Sequence, residues 1–208
     1  MVINRHPGKL FIISGPSGAG KGTIANRILE ETALEFSVSM TTRKPREGEI
    51  DGVHYFFVEE ETFVKNIEED GFLEHAQVYG NRYGTPKGPI LERLEKGIDV
   101  LLDIEMQGAL QIRENYPGGV FIFIIPPSLE ELRRRLTNRG TETAEAIELR
   151  LSNTITELRY IDKYDYLVVN DDLEEAVERV KSIIIAEHSK VALTPEELVR
   201  EYTEGEEE

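Results

Sequence analysis

The sequence predicts an α/β protein built on a parallel β-sheet with helices on both faces, and three observations carry that reading. Short apolar runs recur at Lys9–Ser14, Asp99–Ile104, Val120–Ile125 and Tyr166–Val169. Near-continuous hydrophobic runs of this length are what strands buried on both faces look like. Between them, apolar residues fall at helical spacing, as at Ile24, Ile28 and Leu29. Finally, the first run ends at glycine, passes through a glycine-rich loop and opens a helix. Strands that alternate with helices in this way feed a parallel sheet.

Taken in order, Lys9–Ser14 is a strand and the helix after the glycine loop follows it. Glu35–Ser39 reads as a short strand, and Thr41–Gly52, rich in Arg, Pro and Gly, as loop. Val53–Val58 reads as a strand, Glu59–Asp70 as a helix stopped by Gly71, Phe72–Val78 as extended and Gly80–Gly84 as a turn. Pro86–Lys96 is a helix ended by Gly97. Asp99–Ile104 is a buried strand carrying a carboxylate at its end. Met106–Asn115 is helical and Val120–Ile125 is the next strand. Ser128 is placed as an N-cap, with Glu131 completing a capping box for a helix over Leu129–Asn138. Thr143–Lys163 is a longer helical stretch, Tyr166–Val169 a strand and Asp172–His188 a helix. The acidic Gly205–Glu208 tail frays. The Thr41–Thr85 region breaks the strand–helix rhythm with hairpin-like strands, which predicts an insert projecting from the sheet edge.

Composition narrows the function. The 208 residues fit one compact domain, with 39% hydrophobic residues for a core and 31% charged residues for a solvated surface,. No apolar run is long enough to cross a bilayer, Met1–Gly8 lacks a signal-peptide stretch, and cysteine is absent. These features point to the cytoplasm and exclude thiolate metal sites. The four histidines have no metal-ligand spacing. With 24 basic and 40 acidic residues the net charge is −16, which disfavours nucleic-acid polymers and anionic membranes. Cations nevertheless cluster, at Arg43, Lys44 and Arg46 and again at Arg133, Arg134, Arg135, Arg139 and Arg150.

The segment Gly15-Pro16-Ser17-Gly18-Ala19-Gly20-Lys21 matches G-x-x-x-x-G-K between a predicted strand and a predicted helix,. Glycines let successive N–H groups point at an anion, the helix N-terminus adds a positive dipole end, and Lys21 supplies a charge for the outer phosphates. The pattern continues as Gly22-Thr23, where a hydroxyl residue that could ligate magnesium is usual directly after the lysine. Magnesium is then expected to be held mainly by ATP phosphates and water. Such a loop serves GTPases, ATPases and kinases alike. A GTPase would carry a late N-K-x-D, and Asn170-Asp171-Asp172 is not that.

Further along, SMTTRKPREGE runs from Ser39 to Glu49 and DGVHYF from Asp51 to Phe56. With GPSGAGKGT, FLEHAQVYGNRYGT, LLDIEMQG, FIFIIPPS, LRRRLTNRGTET and VVNDD in the same order, the chain resembles the guanylate kinases from about Lys9 to His188. The resemblance implies the P-loop nucleoside monophosphate kinase fold and transfer of phosphate from ATP to GMP, and also to dGMP, with Mg²⁺. It implies a core (1–38, 86–136, 160–208), a GMP-binding insert (39–85) and a lid (137–159). It assigns Arg43, Arg46, Tyr55 and Tyr83 to the GMP phosphate, and Ser39, Glu74 and Thr85 to guanine. Asp103 and Glu105 are expected near the ribose, the metal waters or the lid arginines. Gly15–Thr23 would hold the ATP phosphates, Asn170 would lie near adenine, and Arg135, Arg139 and Arg150 would reach the transferring group.

The residue types suit those roles independently. Arg43 and Arg46, three apart in a Pro-containing loop, can converge on one phosphate with bidentate forks. A carboxylate at Glu74 accepts from guanine N1–H and N2–H₂, whereas adenine N1 would meet it lone pair to lone pair. Arg135 and Arg139 share one helical face if that helix continues, with Arg133 and Arg134 facing solvent. Two rivals bear weighing. An adenylate-type kinase is favoured by the Gly22-Thr23 ending but opposed by Glu74 and T-T-R-x-x-R. A non-catalytic scaffold module would carry a degraded phosphate loop.

Overall fold

The computed structural model describes residues 7–78, 80–138, 143–191 and 193–204. Its centre is a five-stranded parallel sheet. In chain order the strands are β1 (Leu10–Ser14), β2 (Glu35–Phe36), β7 (Val100–Asp103), β8 (Val120–Ile125) and β9 (Tyr166–Val169). Their spatial order is β2-β7-β1-β8-β9, which puts β1 in the middle between β7 and β8.

Side-chain alternation along these strands builds two cores. Phe11 and Ile13 of β1, Leu101 of β7 and Ile122 and Ile124 of β8 face α1 (Lys21–Glu31) and α7 (Leu173–His188), where Ile24, Ile28, Val177 and Val180 meet them. Leu10, Ile12, Val100, Leu102 and Phe121 face the other way. They pack on Ile90 and Leu94 of α3 (Lys87–Glu95) and Ala109 and Ile112 of α4 (Met106–Asn115). Each side chain so buried contributes about 1.5–3 kcal/mol, so both faces must be covered for the sheet to persist. A smaller cluster of Leu132, Leu136, Ile147 and Leu151 joins α5 (Leu129–Asn138) to α6 (Ala144–Leu158).

A second, four-stranded sheet holds β3 (Met40–Thr41), β4 (Phe56–Phe57), β5 (Phe72–Val78) and β6 (Asn81–Pro86), ordered β4-β3-β6-β5. β5 and β6 form an antiparallel hairpin, and α2 (Glu60–Glu68) covers its base through Phe63, stacked on Phe72 with ring centroids 4.5 Å apart.

Several elements differ from the sequence expectation. The expected turn over Gly80–Gly84 is strand β6 from Asn81 onward, because Tyr83, Gly84 and Thr85 pair across to Ala76, His75 and Glu74. The expected strand over Val53–Val58 shrinks to Phe56–Phe57, since Val53 and His54 both donate back to the Ile50 carbonyl in a turn. Glu35–Ser39 is likewise extended strand only at Glu35–Phe36. The helical stretch from Thr143 stops at Leu158 and resumes as a 3₁₀ turn at Ile161–Lys163. The Ser128 box is half made. Glu131 N–H donates to Ser128 Oγ at 3.1 Å, but the Glu131 carboxylate is taken by Arg134 and Arg135. A full box caps a helix that was not anticipated, α8 (Pro195–Glu204). There Thr194 Oγ1 accepts from Glu197 N–H at 3.3 Å and Glu197 accepts from Thr194 N–H at 2.8 Å. Residues 205–208, expected to fray, lie outside the described residues.

Candidate active site

The glycine loop leaves the buried end of β1 and is shaped by three backbone positions that need positive φ, Gly15 (140°), Gly18 (93°) and Gly20 (92°),. Packing requires the same residues. A Cβ on Gly15 would lie 2.1 Å from the Ile124 carbonyl oxygen, and one on Gly20 would lie 2.3 Å from Asn170 Nδ2. Asn170 is buried, and its amide donates to the Ala19 carbonyl at 2.7 Å, so it braces the loop from β9's end. Lys21 curls over the loop and donates to the Gly15 carbonyl at 2.7 Å and to Pro16 at 3.2 Å. Ser17 accepts from Arg150 Nη1 at 2.6 Å. A cavity of about 540 Å³ opens here, between the loop, the end of β7 and one face of α6. A second opening of about 450 Å³, bordered by Thr23, Arg135, Asn138 and Asn170, lies on the other side of the loop.

The other candidate residues gather around the second sheet. Glu74 and Thr85 are cross-strand partners, as are Ala76 and Tyr83, so period-2 alternation points Glu74 and Tyr83 to one side,. A cavity of about 320 Å³ is lined there by Ser39, Tyr55, Glu74, Tyr83, Asp103 and Glu105, among others. Burial pushes the Glu74 carboxyl above the usual carboxylate range, opposed by hydrogen bonds from Thr85. The Thr85 hydroxyl, fully buried, donates to Glu74 Oε1 at 2.7 Å. Thr85 is thus placed behind the carboxylate and holds it. At the cavity mouth Tyr55 and Tyr83 meet edge to face at 6.0 Å, and the Arg43 guanidinium lies 5.5 Å from the Tyr55 ring centre.

Asp103 and Glu105 line both cavities. Burial raises the Asp103 carboxyl, partly offset by the Lys21 charge. Gly22 sits beside it. A Cβ there would lie 3.5 Å from Asp103 Oδ2, an ordinary contact, so the missing side chain is not imposed by space. Arg135 is engaged away from the loop cavity, with Nε on Glu131 at 2.7 Å and Nη2 on the Asn170 carbonyl at 2.9 Å. Arg133 and Arg134 are exposed and paired with Glu148 and Glu131. Arg139 lies outside the described residues.

Compared with known proteins, residues 7–187 match the guanylate kinase family. The chain belongs to the guanylate kinase family. A guanylate kinase of Caldanaerobacter subterraneus subsp. tengcongensis is 56% identical over 185 residues, covering 88% of this chain and 90% of the relative. One from Clostridioides difficile is 52% identical over 198 residues, covering 95% and 97%. Among solved structures, the crystal structure of guanylate kinase from Anaplasma phagocytophilum matches with a TM-score of 0.71 and 37% identity, covering 90% of this chain and 89% of that one.

Sequence reasoning overlooked several members of the cavity walls and one neighbour of the cage. Asn153 and Glu157 line the loop cavity together with Arg150. Their offsets of three and seven residues put them on one helical face, a signal that was there to read. Burial raises the Glu157 carboxyl, with Lys21 opposing, and its Oε2 is buried without a hydrogen-bond partner among the described residues. The neighbour of the cage is Glu49, whose carboxylate takes both terminal nitrogens of Arg43.

Proposed function

We infer that this chain transfers the γ-phosphoryl group of ATP to GMP, giving ADP and GDP, and that the two cavities meeting at Asp103 and Glu105 are where the two nucleotides face each other. That junction carries the reading. A phosphate loop alone binds any nucleoside triphosphate, but here it opens onto a second cavity floored by a held carboxylate and bordered by Arg43 and two tyrosines. In the reaction a GMP phosphate oxygen forms a bond to the γ-phosphorus while the bond to the β–γ bridging oxygen breaks. The acceptor is already ionised near neutrality, so no protein base is needed. Catalysis is positioning plus neutralisation of charge in an in-line transfer.

The roles follow the chemistry of each group. Backbone N–H groups of Gly15–Thr23 and the Lys21 ammonium would hold the ATP phosphates, with the base on the Asn170 side. Arg43, Arg46, Tyr55 and Tyr83 would cage the GMP phosphate. Glu74, held by Thr85, would accept from guanine N1–H and N2–H₂, with Ser39 beside it. Arg135, Arg139 and Arg150 would add charge on closure of 137–159 over the 39–85 region. Lys21 and Arg150 bond to loop atoms, and each would exchange those bonds for phosphate oxygens.

Mg²⁺ bound to ATP would offset phosphate charge. The donor set fits an ion that keeps its phosphate and water ligands, because Asp103 and Glu105 line the loop cavity while the described residues form no group of three ligands around one point,. Asp103 and Glu105 would then hold the ion's water shell. The cytoplasm suits such an enzyme, and no described helix is long and apolar enough to cross a membrane.

A coupled ADP-release assay offering GMP, dGMP, AMP, CMP and UMP separately tests the proposal. Turnover confined to the guanine nucleotides is expected. Equal use of AMP would overturn the base assignment in favour of an adenylate-type kinase.

A further inference from the structure

We propose that Glu49 is a positioning residue for the acceptor phosphate, which it serves by holding the Arg43 guanidinium in the orientation that receives it. This rests on the reading of Arg43 and its neighbours as the GMP phosphate cage.

The device begins with a turn. Glu49 N–H donates to the Arg46 carbonyl at 3.1 Å, and Gly48, third of those four residues, has φ 84°. That is the type II geometry, which asks for glycine at this position. The turn folds Glu49 back so that its Oε2 accepts from Arg46 N–H at 2.7 Å. The carboxylate is therefore anchored by the backbone before any side chain reaches it.

Arg43 then docks on the anchored group. Nη1 donates to Oε2 and Nη2 to Oε1, both at 2.9 Å, and Nη1 also donates to the Lys44 carbonyl at 2.8 Å. The guanidinium is flanked by the rings of Tyr55 and Phe57, whose centres lie 5.5 and 5.7 Å away. Both partners are largely covered, with 14% and 18% of their side-chain surfaces exposed.

A guanidinium presents two bidentate edges, and Glu49 occupies the Nη1–Nη2 edge. The Tyr83 hydroxyl also interacts with the guanidinium, and a second oxyanion would bond the Nε–Nη2 edge beside it, in a plane that the carboxylate and rings have fixed. Arg43 otherwise loses the rotamer freedom of a long side chain when it binds phosphate. The brace removes that freedom beforehand, which is how preorganisation raises affinity. Arg43 and the Arg46 backbone hold the Glu49 carboxyl down at about 2, so the brace stays charged throughout the neutral range.

A carboxylate beside a phosphate site could instead act as a stand-in anion that GMP must displace, and the two roles differ in sign. For the brace, Glu49→Ala should raise KM for GMP by about 10- to 100-fold, the scale of a misplaced binding group. Glu49→Gln, which keeps one acceptor, should fall between. KM for ATP should hold, as should inhibition by guanosine, which lacks the phosphate. On an Arg43→Ala background, Glu49→Ala should add little. An unchanged or lower KM for GMP would overturn the brace, and so would an equal weakening of guanosine, which marks general damage to the pocket. If wild-type protein is not inhibited by guanosine and does not turn over GMP, the underlying assignment of the cavity has failed instead.

Discussion

On the proposed reading the two cavities solve the same problem, holding a phosphate, with different materials. On the loop side the candidate donors are backbone N–H groups, set by three positive-φ glycines, of which Gly15 and Gly20 pack too closely against Ile124 of β8 and Asn170 after β9 to carry a Cβ. On the second-sheet side they are side chains, with Arg43 pinned by Glu49, Tyr55 and Tyr83 in contact, and Glu74 pinned by Thr85. A backbone cradle is indifferent to what the phosphate is attached to. A side-chain pocket can be tuned one atom at a time. Selectivity should therefore be concentrated in the second sheet and raw phosphoryl affinity in the loop, and substitutions can test that division.

The largest effect is expected at Glu74. A site that leaves buried acceptors unpaired against the wrong base can reject it by a factor on the order of 10⁴ in kcat/KM. Glu74→Gln should cut kcat/KM for GMP severely and narrow the gap between GMP and AMP, while KM for ATP stays put. An unchanged GMP/AMP ratio would place guanine reading elsewhere. The same group predicts a pH dependence. Burial raises its proton affinity, so the carboxylate is lost as pH falls through a value above the ordinary glutamate range,. KM for GMP should climb there in the wild type. The nucleotide phosphate titrates near about 6 in both proteins, so the difference between wild type and Glu74→Gln isolates the side chain.

Next in size is Lys21→Met. If this charge counts most in the transition state, kcat should drop roughly 10²-fold or more, with the GMP/AMP ratio untouched. Near-normal turnover in a folded variant would remove Lys21 from the chemistry.

Two glycines of the loop sharpen the contrast within one region. Gly15→Ala forces a Cβ into the Ile124 carbonyl and should lower the thermal midpoint markedly, by the several degrees that about 1–3 kcal/mol of backbone strain implies,. Gly22→Ser has room and should leave stability within about 0.5 kcal/mol, while a hydroxyl beside Asp103 should shift the magnesium concentration needed for half-maximal rate. Calorimetry and a magnesium titration check the pair. A loop that accepts Ala at Gly15 would not be the rigid cradle described.

Much of this was legible because it repeats locally. The buried strands announce themselves through apolar runs such as Val120–Ile125, and the loop through the spacing of Gly15, Gly20 and Lys21. What stayed hidden depends on partners distant in sequence. β6 reads as a turn because Gly80, Asn81 and Gly84 are poor strand formers that outweigh Tyr83 and Thr85, and pairing with β5 makes the segment extended,. The hydrogen bond from Thr85 to Glu74 could not be read from the sequence, because it depends on the register that places the two opposite each other. Glu131 suits a capping box, but two arginines on its own helix outcompete the backbone. Glu49 was in plain view within T-T-R-x-x-R-E-G-E, but its use is set by the φ of Gly48.

The strand order also has a consequence for synthesis. β1 is bonded on both sides by segments that begin at Val100 and Val120, so its five buried residues emerge from the ribosome with no sheet to join. At about 5–20 residues per second the wait for β7 and then β8 lasts several seconds. Over the same interval the β5–β6 hairpin, whose strands are neighbours in sequence, can close on its own. The nascent chain therefore spends its early life with a fully buried, apolar strand unpaired beside an already formed hairpin, and that strand is where an interrupted translation product should aggregate or recruit a chaperone.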